Sequence, residues 1–431
     1  RKSAKPVTGT MWMPGCMEKA GVFPTISHPC CSFRVRQPHM PAGIQAGVND
    51  RFMTLNKGNW LLLVLSVSLT LLMAEAAMRF SGAVEMLPRF QCFDAVVGKV
   101  YCDSTQGPFS RAEYTNHLVI NADGMVDREY PVAKPGGTVR IALLGDSFTA
   151  SEYLPAEEKF EALLERELSE QLGKPVEVLN FGISATETWN QLQIFHLKAV
   201  HYQPDITFLV FFWGNDIRDN IEQLRAGSPN PLRDEYKAPL IRRLKASRKN
   251  FNRALWNHSM LYQVARTGYG RFEQSIEDLF KPGYLDHIDR MIAGDHDGGR
   301  MADSQSGDFV VADTGFNDDD AFFWDSDGWD ITRRLILRLR EETGAGGSRL
   351  VVLHFPSEGL ARSPVPLPHE AFDAFLQTHG IPYVSLFQDY RDLPEDELRR
   401  HFIQGDGHWT PLGHRYVASR TRDMLIQALA D

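Results

Sequence analysis

The chain has 431 residues, of which 43% are hydrophobic, so it is long enough for one large buried core with further segments attached. The formal net charge is −9, but it is distributed unevenly. Residues 1–59 carry eight Lys or Arg against two Asp or Glu, a balance of +6, which leaves −15 for the rest. This acidic main part argues against nucleic acid as a partner and against polyanionic substrates.

Residues 1–57 are predicted to lack a fold of their own. The stretch 1–52 is rich in Pro, Met and Cys and shows no hydrophobic periodicity. Met53 stands where a signal-bearing start would be expected. Two interpretations of residues 1–52 stay open, a disordered tail and an over-extended reading frame.

A charge-free segment, residues 58–74, predicts a membrane span. Its seventeen residues are at the lower limit for crossing a bilayer as a helix, and the apolar stretch continues beyond them. We predict an uncleaved signal anchor over residues 58–79, with Trp60 suited to one membrane interface and Arg79 to the other. The chain is therefore expected to be held at a membrane.

A cleaved signal peptide is the alternative interpretation of the same segment. Ala74-Glu75-Ala76 has the small-x-small pattern of a cleavage site. Under either interpretation residues 80–431 lie outside the cytoplasm, on the periplasmic or cell-surface side.

Beyond the span the sequence contains two cysteines, Cys92 and Cys102, ten residues apart. In an oxidising compartment such a pair could close a small disulfide loop, and two unrelated buried thiols are the alternative. No spacing is typical of zinc ligands, and no glycine-rich loop is typical of a phosphate-binding cofactor site. We therefore expect neither metal nor cofactor.

Residues 80–137 are interpreted as a lead-in segment with short extended pieces, and residues 138–431 as the main domain. In the main domain apolar strands alternate with amphipathic helices, which is typical of a parallel sheet covered on both faces. Strands are predicted at 139–144, 176–180, 206–212, 349–355 and 382–387, and helices at 156–172, 188–202, 328–343, 369–379 and 411–429. The predicted fold is α/β, a three-layer α/β/α sandwich around a five-stranded parallel sheet.

An insertion at about 217–327 interrupts this alternation. Its first part is basic and helical, as in residues 240–256, and its second part, residues 295–330, is dense in Asp and Gly. The second part is predicted to be a flexible excursion beside the sheet edge. Residues 325–330 vaguely resemble a calcium loop but lack the downstream glutamate of an EF-hand, which favours a solvated acidic loop.

Polar residues follow three of the predicted strands and precede the last helix. Gly145-Asp146-Ser147 ends the first strand, Asn180-Phe181-Gly182 the second and Gly214-Asn215-Asp216 the third, and residues 405–414 introduce the final helix. Because the carboxyl ends of parallel strands meet at one edge of a sheet, these segments are expected to gather there.

Such a gathering supplies the groups that acyl-group hydrolysis needs. Ser147 is the candidate nucleophile and His408 its general base, with Asp406 orienting the imidazole. The Gly182 backbone N–H and the Asn215 side-chain amide are candidate donors to an oxyanion. In an extended segment side chains two positions apart point the same way, so Asp406 and His408 are expected to face inward together.

Each of these residues also has a structural interpretation. Gly182 could simply terminate a strand, and Asn215 could be a turn former or a helix cap. His414 competes with His408 for the role of base, but it follows a Pro-Leu-Gly helix start and is expected on the final helix, farther from the sheet edge. The joint occurrence of four blocks in order favours the functional interpretation.

The four blocks together resemble the SGNH/GDSL hydrolase superfamily, which is named for a Ser, a Gly, an Asn and a His. The matching positions are Ser147, Gly182, Asn215 and His408, in the family's order. The resemblance covers roughly residues 137–430 outside the middle of the insertion, and it implies a flavodoxin-like sandwich.

Two further segments bear on the resemblance. Residues 121–141 are similar to the lead-in of membrane-linked bacterial members. Many members place the aspartate three residues before the histidine, where this chain has Gly405. Asp406 matches the Asp-x-His spacing of other branches, so it is the expected third member of the triad.

The resemblance implies a serine esterase acting on an acylated small molecule or carbohydrate outside the cytoplasm. An O-acyltransferase to an envelope glycan is one alternative, because alginate-type acetyltransferases share the superfamily and an Asp-x-His-Trp string, here residues 406–409. In those proteins the string precedes the serine, whereas here it follows Ser147, which favours the hydrolase. A catalytically silent glycan-binding protein is the third hypothesis, although such a protein need not keep all five positions.

Overall fold

The computed structural model describes residues 57–82, 86–279, 327–363 and 368–430. The predicted tail up to residue 56 lies outside the described residues, as does most of the Asp- and Gly-rich second part of the insertion. The predicted anchor is a single helix, α1 (Lys57–Ser81). Within the described ranges, Asn59–Ser81 is the one helix that is long and apolar enough to cross a membrane, and none of its most apolar window is buried.

The lead-in segment contains two antiparallel hairpins. The first joins β1 (Gln91–Asp94) to β2 (Gly98–Tyr101), and the second joins β3 (Gln106–Ser110) to β4 (Thr115–Val119). Cys92 and Cys102 form a disulfide across the first hairpin, which decides between the two interpretations of this cysteine pair.

A five-stranded parallel sheet forms the centre of the main domain. Its strands are β5 (Val139–Leu144), β6 (Val176–Asn180), β7 (Ile206–Phe212), β8 (Arg349–Phe355) and β9 (Tyr383–Ser385), in the spatial order β6-β5-β7-β8-β9. The first four have the predicted bounds. The last is shorter than predicted, because the buried Leu386 already leaves the strand to begin a helix.

Helices cover both faces of the sheet, so the predicted three-layer sandwich is confirmed. In chain order they are α2 (Ser147–Ala150), α3 (Phe160–Leu172), α4 (Thr188–Leu197), α5 (Asp216–Arg225), α6 (Leu240–His258), α7 (Met260–Leu279), α8 (Asp327–Ala345), α9 (Glu358–Ala361), α10 (His369–Thr378), α11 (Phe387–Asp392), α12 (Glu395–Arg400) and α13 (Pro411–Ala430). Helices α3 and α13 pack on one face, and α4, α8 and α10 on the other.

Two predicted helices are interrupted, and one predicted loop is helical. Lys159 and Lys198 leave the α-helical conformation, so short 3₁₀ turns stand beside α3 and α4. Residues 327–330, the described part of the calcium-like sequence, form the first turn of α8, in agreement with the helix predicted at 328–343 and not with the acidic loop predicted at 325–330. The reason is Trp329, whose side chain is fully buried in the core and fixes this turn against the sheet.

A buried carboxyl near the start of α3 makes the stability of this fold depend on pH. Asn180 Nδ2 donates to Glu161 Oε1 at 2.7 Å, while Oε2 lacks a partner among the described residues. Burial raises the pKa of Glu161 from 4.5 to about 7, against the lowering effect of Lys159. A raised carboxyl pKa in the folded state favours folding below the unfolded pKa, and this contribution is lost as pH rises through the folded pKa.

Glu161→Gln should therefore flatten the loss of stability between pH 4.5 and 7 and raise the free energy of unfolding at pH 8 by on the order of 1–3 kcal/mol. Urea unfolding at a series of pH values measures the effect. Glu170→Gln, an exposed position on the same helix, is the matched control and should leave the profile unchanged. Identical profiles for the Glu161 variant and the wild type would show that Glu161 is ionised at no cost in the folded state.

Candidate active site

Ser147 stands where β5 ends and α2 begins. Asp146 is buried, and its carboxylate accepts a hydrogen bond from the Phe148 N–H at 2.9 Å, which fixes the start of the helix. A Cβ atom at Gly145 would lie 2.0 Å from Thr149 Oγ1, so only glycine permits this sharp return of the chain. The turn leaves the Ser147 side chain half-buried at the carboxyl edge of the sheet.

His408 reaches Ser147 from a loop 261 residues later in the chain. Its Nε2 atom lies 2.7 Å from Ser147 Oγ, and its Nδ1 atom is hydrogen-bonded to Asp406. The aromatic ring of Phe148 packs against the imidazole, with ring centroids 4.8 Å apart. The structure therefore brings Ser147, His408 and Asp406 into one continuous hydrogen-bonded chain.

The loop that carries Asp406 is a tight turn, so the expectation of an extended segment was wrong. Gly405 and Gly407 both have left-handed backbone angles, with φ of 89° and 87°. The Ile403 carbonyl accepts hydrogen bonds from the Asp406 and Gly407 N–H groups at 3.2 and 2.8 Å, and the Ile403 N–H donates to the His408 carbonyl at 2.7 Å. The turn, rather than strand alternation, points both side chains inward.

The electrostatics of this pair define the proton positions. Burial raises the pKa of Asp406, but the hydrogen bonds and charge of His408 and the nearby charge of Arg111 outweigh it and hold the pKa below its usual value. Asp406 is therefore a carboxylate at neutral pH and accepts the Nδ1 proton of His408. The Nε2 atom is then left as the acceptor of the Ser147 hydroxyl proton.

Gly182 follows β6, the strand beside β5, and so lies on the same sheet edge. A Cβ atom here would lie 2.6 Å from both Thr149 Cβ and Ala150 N, so the loop needs glycine in order to pass close to α2. The Gly182 N–H donates to Asn180 Oδ1 at 2.9 Å. In this conformation the N–H is satisfied within the protein.

Asn215 follows β7 on the other side of β5. It occupies the N-cap position of α5, yet its side chain makes no capping hydrogen bond. Its Oδ1 atom is buried and has no hydrogen-bond partner among the described residues, while the residue as a whole is only half-buried. The helix-cap interpretation is thus not supported, and Asn215 stands at the carboxyl end of β7, the strand beside β5.

His414 lies on α13, as expected, and is fully buried. Its Nδ1 accepts the Phe160 N–H at 3.1 Å, and its Nε2 lies 3.1 Å from the Tyr153 hydroxyl. Burial and the charges of Lys159 and His408 lower its pKa to about 3. His414 is therefore neutral at ordinary pH and has a structural position behind the site.

Sequence reasoning missed the part of the site that the lead-in segment builds. The tip of the second hairpin places Arg111 and Tyr114 near Asp406. Tyr114 packs on Tyr153 at 5.6 Å between ring centroids, and Tyr153 packs on His408 at 5.2 Å. The sequence signal for this role was slight, since an aromatic residue near a turn is common in any hairpin.

Both hairpins of the lead-in form hydrogen bonds with the segments that follow Ser147 and Gly182. Tyr101, at the end of β2, donates its hydroxyl proton to the buried Glu152, and Ser184 donates to the other carboxylate oxygen of Glu152 at 2.6 Å. Asn116 Nδ2 donates to the carbonyls of Glu152 and Leu154 at 2.7 and 2.8 Å. These bonds tie the Ser147 turn and the Gly182 loop to the lead-in.

No group of three or more His, Cys, Asp or Glu side chains in the described part of the chain could hold a metal ion.

Comparison by sequence found no matching family model and no matching curated protein. The solved structures of similar fold include a lipase/acylhydrolase from Enterococcus faecalis, with 12% identity, 67% of this chain and 94% of that chain covered, and a TM-score of 0.33.

Two other similar structures have comparable values. A G-D-S-L family lipolytic protein from Desulfitobacterium hafniense has 10% identity, covers 66% of this chain and 99% of its own, and has a TM-score of 0.35. An acetyl xylan esterase has 10% identity and a TM-score of 0.35, and the match covers 67% of this chain and 99% of the esterase chain. Similarity at this level does not define an activity.

Proposed function

We propose that this chain is a serine esterase of the SGNH/GDSL type. The observation that carries the proposal is the hydrogen-bonded chain Ser147–His408–Asp406, with 2.7 Å between Ser147 Oγ and His408 Nε2. A hydroxyl within hydrogen-bond reach of a neutral imidazole that is oriented by a carboxylate is the arrangement that activates serine as a nucleophile.

The reaction proceeds in two halves. Ser147 Oγ attacks the ester carbonyl while His408 Nε2 takes the hydroxyl proton, and Asp406 stabilises the imidazolium. His408 then gives the proton to the departing alcohol, which leaves an acyl group on Ser147. Water attacks this acyl-enzyme as His408 again accepts the proton, and its return to Ser147 Oγ releases the carboxylic acid.

Oxyanion stabilisation is assigned first to the Asn215 amide. Its oxygen is buried, so its NH₂ group is the part that can reach the open edge. The Gly182 N–H is the second candidate donor, and to serve it has to exchange its bond with Asn180 Oδ1 for one with the substrate. The two residues follow β6 and β7, the strands on either side of β5, which ends at Ser147.

O-Acyl groups on a carbohydrate outside the cytoplasm are the proposed substrate class. The serine and histidine are half-buried at the carboxyl edge of the sheet, which suits a short acyl group on a bulky alcohol. Tyr114 is half-exposed beside the triad and offers an aromatic face for a sugar ring.

Ester hydrolysis by the purified full chain tests the function. We expect release of p-nitrophenol from its acetate ester and of acetate from O-acetylated polysaccharides, with activity falling as the acyl chain lengthens. Added sugar acceptors separate esterase from acyltransferase, because a transferase forms acylated sugar faster than free acid. Absence of both products from every ester would contradict the proposal.

The proposed location outside the cytoplasm has its own test. An alkaline phosphatase fused after residue 431 should be active, because that reporter folds only in an oxidising compartment and the Cys92–Cys102 disulfide needs the same condition. An uncleaved anchor predicts that the chain stays in the membrane pellet after a high-salt wash. A stable but inactive fusion would place the domain in the cytoplasm.

A further inference from the structure

Helix α6 exposes its apolar face, whereas an ordinary surface helix exposes its polar face. It is 19 residues long, about 28 Å, and none of its residues is buried. Leu240, Ile241, Leu244 and Phe251 recur at helical spacing on one face and are exposed by 68%, 59%, 57% and 62%. A globular protein in water would normally turn such a face toward its core.

The polar face of α6 is the one that contacts the protein. Asn250 pairs with the backbone of Phe93, donating to its carbonyl and accepting from its N–H, both at 2.8 Å. Asn257 pairs in the same way with the backbone of Arg89, at 3.1 and 2.8 Å. These asparagines hold the helix against the lead-in, so the apolar face cannot rotate inward without breaking four hydrogen bonds.

The charge of α6 is entirely positive. Its sequence contains six Lys or Arg and no Asp or Glu, although the main part of the chain is acidic. Arg243, Lys245, Arg248 and Lys249 are exposed. Exposed apolar side chains beside a band of exposed cations are the pattern of a helix that lies in the interface of an anionic membrane.

The carboxyl end of α6 lies beside the candidate membrane span. Its carboxyl end is bonded to the end of the apolar helix α1, where Arg79 donates to the His258 carbonyl at 2.6 Å. Glu75 accepts hydrogen bonds from the Met260 and Leu261 N–H groups at 3.0 and 2.9 Å, and so caps the N-terminus of α7. One end of α6 is thereby held at the boundary of the candidate span.

We propose that α6 lies flat in the headgroup region of the bilayer that α1 crosses, with its apolar face in the acyl boundary and its exposed Arg243, Lys245 and Arg248 on anionic lipid headgroups. The occupant of the exposed face is a lipid surface. This second attachment would hold the α/β domain close to the membrane at a defined orientation, whereas α1 alone would leave it free to tilt. It does not depend on the proposed esterase activity.

Site-directed spin labelling of the full chain tests this proposal. Ser247 is exposed beside the apolar face, and Ser419 on α13 is an exposed control position away from it. Each is changed to Cys in a chain whose Cys16, Cys30 and Cys31 are Ser. The labelled proteins are placed in vesicles of phosphatidylcholine with phosphatidylglycerol, and collision rates are measured with oxygen, which partitions into the bilayer, and with a water-soluble nickel chelate.

We expect the Ser247 label to collide preferentially with oxygen and the Ser419 label with the nickel chelate. Leu244→Glu with Phe251→Glu should return the Ser247 label to water without loss of folding, because both side chains are exposed. Arg243→Glu with Arg248→Glu should do so in part. A Ser247 label as accessible to nickel as the Ser419 label would overturn the proposal. Protection from both reagents would also overturn it, since a second protein would then cover the face.

Discussion

Ser147→Ala and His408→Ala should each lower kcat for ester hydrolysis by on the order of 10⁴-fold or more. Both changes stop the same step: one removes the attacking oxygen, and the other removes the acceptor of its proton, 2.7 Å away. Because the two groups act as one unit, the double variant should be no slower than either single variant. Steady-state hydrolysis of p-nitrophenyl acetate by the full chain measures all three.

Two controls separate this effect from misfolding. The Ser147 side chain is half-buried at the sheet edge, so Ser147→Ala should leave the melting temperature nearly unchanged. A fluorophosphonate should add its mass to the wild type and not to Ser147→Ala. Full activity in Ser147→Ala, or labelling at another serine, would show that the nucleophile lies elsewhere.

Asn215→Ala should lower kcat by on the order of 10²–10³ if its amide donates to the oxyanion. KM should change little, since that hydrogen bond becomes strong only as negative charge develops in the transition state. Asn215→Asp should be at least as slow, because it keeps the size of the side chain but replaces an N–H donor with a negative charge. Initial rates over a range of substrate concentrations separate kcat from KM.

The stability of the Asn215 variants provides the control. An N-cap that bonds the helix is worth about 1 kcal/mol, but Asn215 makes no such bond, so Asn215→Ala should cost less than that in urea unfolding. An Asn215→Ala protein that turns over normally and is destabilised would return the residue to a structural role.

The sequence by itself determined the central sheet, because each buried parallel strand is a short local run of apolar residues. The bounds of β5, β6, β7 and β8 match those predicted, and the first three of these runs end at a polar tip. The block around Ser147 was visible for the same reason: a turn between a buried strand and a helix has few acceptable residues, and they stand out against apolar neighbours. The block around His408 was visible as a polar segment before the last helix.

Tertiary structure alone decided which groups meet. Ser147 and His408 are 261 residues apart, and no local pattern encodes the 2.7 Å between them. The turn geometry of Asp406 depends on two glycines with positive φ and on carbonyl contacts of Ile403, so alternation along the sequence could not describe it. The bond between the Gly182 N–H and Asn180 Oδ1 is local, but the Asn180 amide is oriented by bonds from its Nδ2 to the Thr149 carbonyl and to Glu161.

The lead-in segment and α6 are the clearest examples of structure that the local sequence could not determine. Their local sequences predicted short extended pieces and a basic helix, and both are present. The face of α6 that turns inward is the one whose Asn250 and Asn257 side chains hydrogen-bond to the backbone groups of Phe93 and Arg89, which an apolar face could not do. Hydrophobic periodicity in the sequence indicates that a helix has an apolar and a polar face, but the neighbouring elements determine which face is buried.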